Sequence, residues 1–160
     1  MTIKVGDKIP QSTLFHMTDS GNEKISTDEL FSGKKVALFA LPGAYTPTCS
    51  ASHLPGYVVK SDDFFGKGVD SIICLSVNDA FVMAAWGVQH NAEDRVLMIA
   101  DGNAEFTRAL GLEVDLSKGG MGIRSRRYAM IVNDGIVELL NVEEAGKFEV
   151  SDAETVFNSL

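Results

Sequence analysis

At 160 residues, with 45% hydrophobic side chains and only two cysteines, the chain can bury a full core without disulfide support. Fourteen Lys and Arg against 22 Asp and Glu leave a formal net charge of −8, which excludes the basic footprint of a protein that binds nucleic acid or anionic membranes. No apolar run approaches the roughly 20 residues of a membrane helix, and the first residues carry no apolar leader. One domain over residues 1–160 is expected, in the cytoplasm, where thiols stay reduced.

Residues 1–12 read as an extended lead-in, 12–16 as a short strand, and Asp19-Ser20-Gly21-Asn22 as a turn. Residues 26–31 predict a short helix opened by a Ser-x-x-Glu capping box. The apolar run 36–41 reads as a buried strand ended by Pro42. Thr46-Pro47 reads as a helix start, a hydroxyl N-cap followed by proline at the first helical position. That helix should run to about Gly66, with a distortion at Pro55-Gly56. Residues 69–77 predict a second buried strand. Residues 79–90 predict a helix carrying Phe81, Met83, Ala84 and Trp86 towards packing surfaces, and 96–100 a third strand. A helix over 104–110 ends at Gly111, and 116–127 reads as a loop holding Gly119-Gly120-Met121-Gly122 and then Arg124, Arg126 and Arg127. Asn133-Asp134-Gly135 joins 128–132 to 136–140 as a hairpin. Residues 151–159 predict a last helix capped by Ser151. Strands alternating with helices, then a hairpin and a helix, predict an α/β fold: a central mixed β-sheet with helices on both faces.

The chemistry centres on Cys49. The helix start at Thr46-Pro47 puts it at the third helical position, in the field of unpaired backbone N–H groups that favour a thiolate. Thr46 lies about one turn before it; its oxygen can accept a hydrogen bond and its O–H can donate one to a substrate oxygen. Cys74 sits mid-strand and reads as a core cysteine. His53, four residues after Cys49, is expected to point along the helix away from the site, in a structural or interface role. His16 and His90 have no partner cluster, and Cys/His metal-ligand spacing is absent, so no metal is expected. The glycines at 119–122 lack the G-x-G-x-x-G spacing of a nucleotide site, and neither cysteine begins a Cys-x5-Arg phosphatase pattern.

Pro42, Thr46 and Cys49, within Pro-Gly-Ala-Tyr-Thr-Pro-Thr-Cys-Ser and followed by His53-Leu54-Pro55-Gly56, resemble the active-site motif of the peroxiredoxins, in particular the type II (peroxiredoxin-5) subfamily. Cys74 to Val82, Trp86-Gly87, Arg126-Arg127-Tyr128 and Asp134-Gly135-Ile136-Val137 are similar to later segments of that subfamily, in the same order. The resemblance implies a thioredoxin-like fold with an N-terminal extension. It implies a thiol peroxidase acting on hydrogen peroxide and alkyl hydroperoxides, with a role in antioxidant defence. Cys49 would be the peroxidatic thiolate, Thr46 would hydrogen-bond peroxide and thiolate, Pro42 would shield the sulfur, and Arg127 would hold the thiolate and polarise the peroxide. Strand alternation would turn Arg126 the other way, leaving it an outer or entrance residue.

Some relatives use a C-terminal resolving cysteine; this chain has Val150-Ser151 in that region and no cysteine after Cys74. Regeneration is therefore expected from an external thiol, glutathione with glutaredoxin or thioredoxin, with no resident cofactor. A homodimer is also implied, with Tyr45 and Phe81 as candidate contacts. The alternative is a thioredoxin-like redox sensor whose oxidised Cys49 relays the signal to a partner protein; the intact set of four residues favours turnover.

Overall fold

The computed structural model describes the whole chain, Met1–Leu160. Strands β1 (Thr13–Thr18) and β2 (Gly21–Ser26) form an antiparallel hairpin that leads into helix α1 (Thr27–Phe31). Strand β3 (Lys35–Leu41) follows, then helices α2 (Leu54–Val59) and α3 (Ser61–Gly66), strand β4 (Ser71–Ser76), helix α4 (Ala80–Gln89) and strand β5 (Leu97–Ala100). Helix α5 (Glu105–Leu110), the short strands β6 (Glu113–Asp115) and β7 (Ile123–Ser125), the hairpin β8 (Tyr128–Asn133) and β9 (Ile136–Val142), and helix α6 (Ala153–Phe157) complete the chain. The main sheet has seven strands in the order β2-β1-β5-β4-β3-β8-β9. Its centre is parallel, β5-β4-β3, and antiparallel strands flank it on both sides. This is the expected mixed sheet of the thioredoxin-like fold.

The apolar runs of β3 and β4 are buried along nearly their whole length, as central strands covered on both faces must be. Side chains alternate between two cores. Phe39 and Leu41 join Leu54, Tyr57, Met83, Trp86 and Val156 on one face, so α2, α4 and α6 cover it. Leu38 and Ala40 join Leu30, Phe31, Phe106 and Leu110 on the other, under α1 and α5. The N-terminal lead-in is tied down, with Ile3 N–H donating to Leu110 O at 2.9 Å and Ile9 N–H to Gly135 O at 2.8 Å. The capping box holds as predicted: Ser26 Oγ accepts from Glu29 N–H at 3.1 Å, and the Glu29 carboxylate accepts from Ser26 N–H at 2.8 Å. The Asn133-Asp134-Gly135 turn has φ of 48° at Asp134 and 81° at Gly135, the left-handed pair such hairpins need.

Four features differ from expectation. Strand β2 occupies residues read only up to a turn; Asn22, Glu23 and Lys24 are exposed, so this edge strand carries no apolar alternation to betray it. Within 113–127, β6 and β7 pair as a separate two-stranded ribbon of three residues each, too short to leave a pattern. Helix α6 is capped by Asp152, which accepts from Thr155 N–H at 3.1 Å, because Ser151 is engaged elsewhere. Phe81 is 62% exposed rather than packed.

Candidate active site

Leu41 ends β3, and the chain turns through Pro42, Gly43, Ala44 and Tyr45 into a helix beginning at Pro47. Gly43 makes room for Arg124: a Cβ there would lie 2.7 Å from Arg124 Nη1 and 3.3 Å from Thr46 Cγ2, so a larger residue would displace the guanidinium end. Arg124 donates from Nη1 to Pro42 O at 3.2 Å and from Nε to Met121 O at 2.9 Å, pinning the turn to the 121–124 segment. Ala44 N–H donates to Asn78 Oδ1 at 3.0 Å, and Asn78 Oδ1 also accepts from Ser76 Oγ at 2.6 Å, so the end of β4 supports the same turn.

Cys49 is at the third helical position, as the sequence predicts. Ser50 N–H still donates to Thr46 O at 3.0 Å in ordinary α spacing. Beyond it the helix widens into a π turn over Cys49–His53, with Leu54 N–H reaching Cys49 O. Pro55 explains the widening. It has no N–H for the carbonyl one turn back, and its ring would collide with that carbonyl in a regular helix. The distortion expected at Pro55-Gly56 therefore falls in the preceding turn, under the cysteine itself.

Thr46 does not bond to Cys49. Its hydroxyl donates to Gly43 O at 2.7 Å, which spends its one proton and leaves oxygen lone pairs as acceptors. In this arrangement the hydroxyl proton is directed to Gly43 O, so the oxygen lone pairs are the part of Thr46 left to meet a ligand.

Arg127 makes the expected contact. Lying between β7 and β8, it donates from Nη2 to Cys49 Sγ at 3.0 Å. Arg126 and Arg127 are outside a regular strand, so alternation does not separate them; both line the same cavity of about 240 Å³, together with Pro42, Thr48, Leu116 and Phe148. Cys49 is fully buried and does not line that cavity, so the sulfur lies beyond its wall.

His53 is where the sequence misleads. It is fully buried, and its Nδ1 lies 2.8 Å from Arg127 Nη1. A guanidinium only donates, so Nδ1 is the acceptor and the ring proton sits on Nε2, which donates to Ser151 O at 3.1 Å. Burial, and then the charge of Arg127, push the His53 pKa down to about 3, so it is neutral at working pH. Tyr57 also donates to Ser151 O, at 2.8 Å. The Phe148 ring lies 5.8 Å from the Arg127 guanidinium carbon and packs against the His53 ring edge-on at 5.0 Å. The signal was present: side chains four apart on a helix share a face. Glu143 and Ser151 join this group from the chain beyond β9; Glu143 gave no signal, and Ser151 was read only as a helix cap.

Cys74 lies in the same core cluster as Cys49, paired with Phe39 across β3 and β4. Burial, with a smaller contribution from Cys49, pushes its thiol well above the usual range, as for an inert core cysteine. Both thiols are free.

Residues 4–157 match the Redoxin family model. The chain is 51% identical to peroxiredoxin-2E-2, chloroplastic, of Oryza sativa subsp. japonica, over 99% of its own length and 73% of that protein. It is 50% identical to peroxiredoxin-2E, chloroplastic, of Arabidopsis thaliana, over 99% of its length and 70% of that protein. Among solved structures, reduced Prx3 in complex with hydrogen peroxide from Vibrio vulnificus superposes with a TM-score of 0.96 at 54% identity, covering 99% of both chains. The expected cytoplasmic address is corrected by these similarities: two relatives at 50% identity or more are chloroplastic proteins, so the features read as cytoplasmic do not assign that compartment.

Proposed function

The chain belongs to the peroxiredoxin family of thiol-dependent peroxidases, and from that premise we propose that Cys49 is its peroxide-attacking thiolate, with Arg127, Thr46 and Pro42 completing the site. The observation that carries this reading is the Arg127 Nη2 contact to Cys49 Sγ at 3.0 Å. A guanidinium there stabilises negative charge on sulfur and faces the position where charge spreads along S···O···O during attack. The sulfur lone pair attacks one peroxide oxygen, the O–O bond breaks, and RO⁻ or HO⁻ leaves to take up a proton. Cys49 becomes a sulfenic acid, oxidised by two electrons. Thr46, its proton committed to Gly43 O, accepts from the peroxide O–H and orients it. Pro42 lines the approach and limits water at the sulfur.

Hydrogen peroxide and small alkyl hydroperoxides are the proposed substrates. No resident cofactor is needed, because the reductant is a co-substrate. An external thiol attacks the sulfenic sulfur, releases water and forms a mixed disulfide, which a second thiol resolves. Glutathione with glutaredoxin, or thioredoxin, fits this role, and the buried, unreactive setting of Cys74 supports an outside reductant. The chain works as a single domain. We also propose a homodimer: Tyr45 is 50% and Phe81 62% exposed, two aromatic side chains left for a second copy.

The test is turnover. Protein with excess peroxide and either reducing system, followed by NADPH consumption, is expected to run many cycles per Cys49. One stoichiometric oxidation, with no further consumption, would instead mark a redox sensor that hands its oxidation to a partner.

A further inference from the structure

A guanidinium on a flexible side chain keeps no fixed place unless its other nitrogens are held. On the reading above, in which Arg127 acts on Cys49, we propose that Glu143 is a positioning residue for the reaction. Its buried carboxylate folds the segment after β9 into a strap, the strap presents the Ser151 carbonyl to His53, and His53 fixes Arg127 on the sulfur.

Glu143 is 4% exposed and has no cationic partner. Its carboxylate instead accepts from Glu149 N–H at 2.9 Å, Val150 N–H at 2.8 Å, and both Ser151 N–H and Ser151 Oγ at 2.8 Å. Burial alone would raise its pKa; these donors more than offset that and leave it lowered, so the group stays ionised. A buried carboxylate without a cation is a costly way to close a surface segment. What it achieves is placement: four donors from three consecutive residues converge on one group, and Ser151 O is left facing inward. That carbonyl accepts from His53 Nε2 at 3.1 Å and Tyr57 Oη at 2.8 Å.

The acceptor at Ser151 keeps the His53 proton on Nε2, so Nδ1 faces Arg127 Nη1 as a lone pair at 2.8 Å. Without it His53 can take its proton on Nδ1, which sets donor against donor and moves the guanidinium from the sulfur. The strap also carries Phe148 onto both Arg127 and His53. The backbone of Glu143 lies in the same place: its N–H donates to Arg127 O at 2.9 Å.

The test is E143Q, which substitutes an amide NH₂ for one oxygen and so places donors against the strap's N–H groups. Three readouts are taken: the rate constant for peroxide, the pH profile of Cys49 alkylation by iodoacetamide, and the same rate in an R127Q background. E143Q is expected to lose at least tenfold in the peroxide rate, with the alkylation profile displaced to higher pH. In the R127Q background it should cost less than twofold, because Glu143 acts through Arg127. E149Q removes one charge from the exposed side of the same strap and should leave the rate unchanged. If E143Q does not fold, E143D keeps the charge, shortens the reach, and is read in the same three ways. A wild-type rate and profile in a folded Glu143 variant overturn the proposal, as does an equal loss with and without Arg127. The underlying site fails separately: C49S that still turns over, or R127Q that reacts like wild type, removes the premise.

Discussion

Arg127 Nη2 donates to Cys49 Sγ at 3.0 Å across 78 positions of sequence, while Nη1 of the same guanidinium donates to His53 at 2.8 Å. The two bonds use two nitrogens of one rigid plane. An ammonium offers a point charge with no such fork. R127K therefore keeps the charge but cannot hold both partners, and it should slow Cys49 oxidation by roughly 100-fold, about 3 kcal/mol at ~1.4 kcal/mol per decade. Stopped-flow oxidation at fixed pH measures it; a change under threefold would show that charge alone suffices.

Thr46 separates two uses of a hydroxyl. Its proton goes to Gly43 O at 2.7 Å, so the turn needs the O–H and a substrate can use only the lone pairs. T46S retains both and should stay within about threefold of wild type. T46V loses both, and should fall by roughly 10- to 100-fold, in the range of one lost positioning hydrogen bond near reacting atoms. Equal rates in T46V and T46S would remove Thr46 from the site.

The sheet was legible because its central strands are short apolar runs bounded by turns; β4 lies within the residues so read, and β3 exceeds them only by Lys35. Cys49 and Thr46 were legible because a hydroxyl, a proline and a thiol within one turn constitute a local signal. Arg127 was reachable only through the family resemblance, since three arginines lie within four residues and nothing local selects one. His53 was misread because helical spacing gives the face a side chain shares, not the distant partner it meets there. Glu143 was invisible: its contacts are three backbone N–H groups and one serine hydroxyl six to eight residues later, and such donors leave no mark on composition or periodicity. Strand β2 was hidden for the opposite reason, its exposed polar residues giving no alternation.

Burial of neutral His53 links stability to pH. Its pKa is about 3 in the folded chain against an ordinary value of 6.5. Between those values the unfolded chain binds a proton that the folded chain refuses, so stability falls as pH falls below 6.5 and the loss is complete near 3. From pH 6.5 to 5 this amounts to about 2 kcal/mol. Glu143 adds to acid lability: its lowered pKa contributes stability above the ordinary value of 4.5, lost as pH falls through the folded value. Urea titrations at pH 7, 6 and 5 on wild type and H53F isolate the histidine by difference, because Asp101, whose carboxyl burial pushes up, acts alike in both chains. H53F should be less stable than wild type at pH 7 yet show a flatter decline to pH 5. An identical decline in both chains would place the acid-sensitive group elsewhere.

The two cysteines should part company on substitution. Cys49 is at a π turn with an arginine nitrogen on its sulfur, while Cys74 is enclosed mid-strand, with its thiol pushed far above the usual range by burial. C49S removes the proposed nucleophile and should abolish turnover with every reductant. C74S places a hydroxyl in an apolar core and should cost about 1–3 kcal/mol of stability. It should nonetheless keep more than roughly half of the turnover driven by an external thiol, since on this account no step passes through Cys74. Activity and urea midpoints on the two variants, with non-reducing mass spectrometry after peroxide, measure all of this. Equal loss of turnover in both, together with a Cys49–Cys74 disulfide in the oxidised wild type, would mean that the buried thiol is brought to the sulfenic acid and resolves it. The β4 strand would then have to distort during each cycle, and the external-thiol route would be wrong.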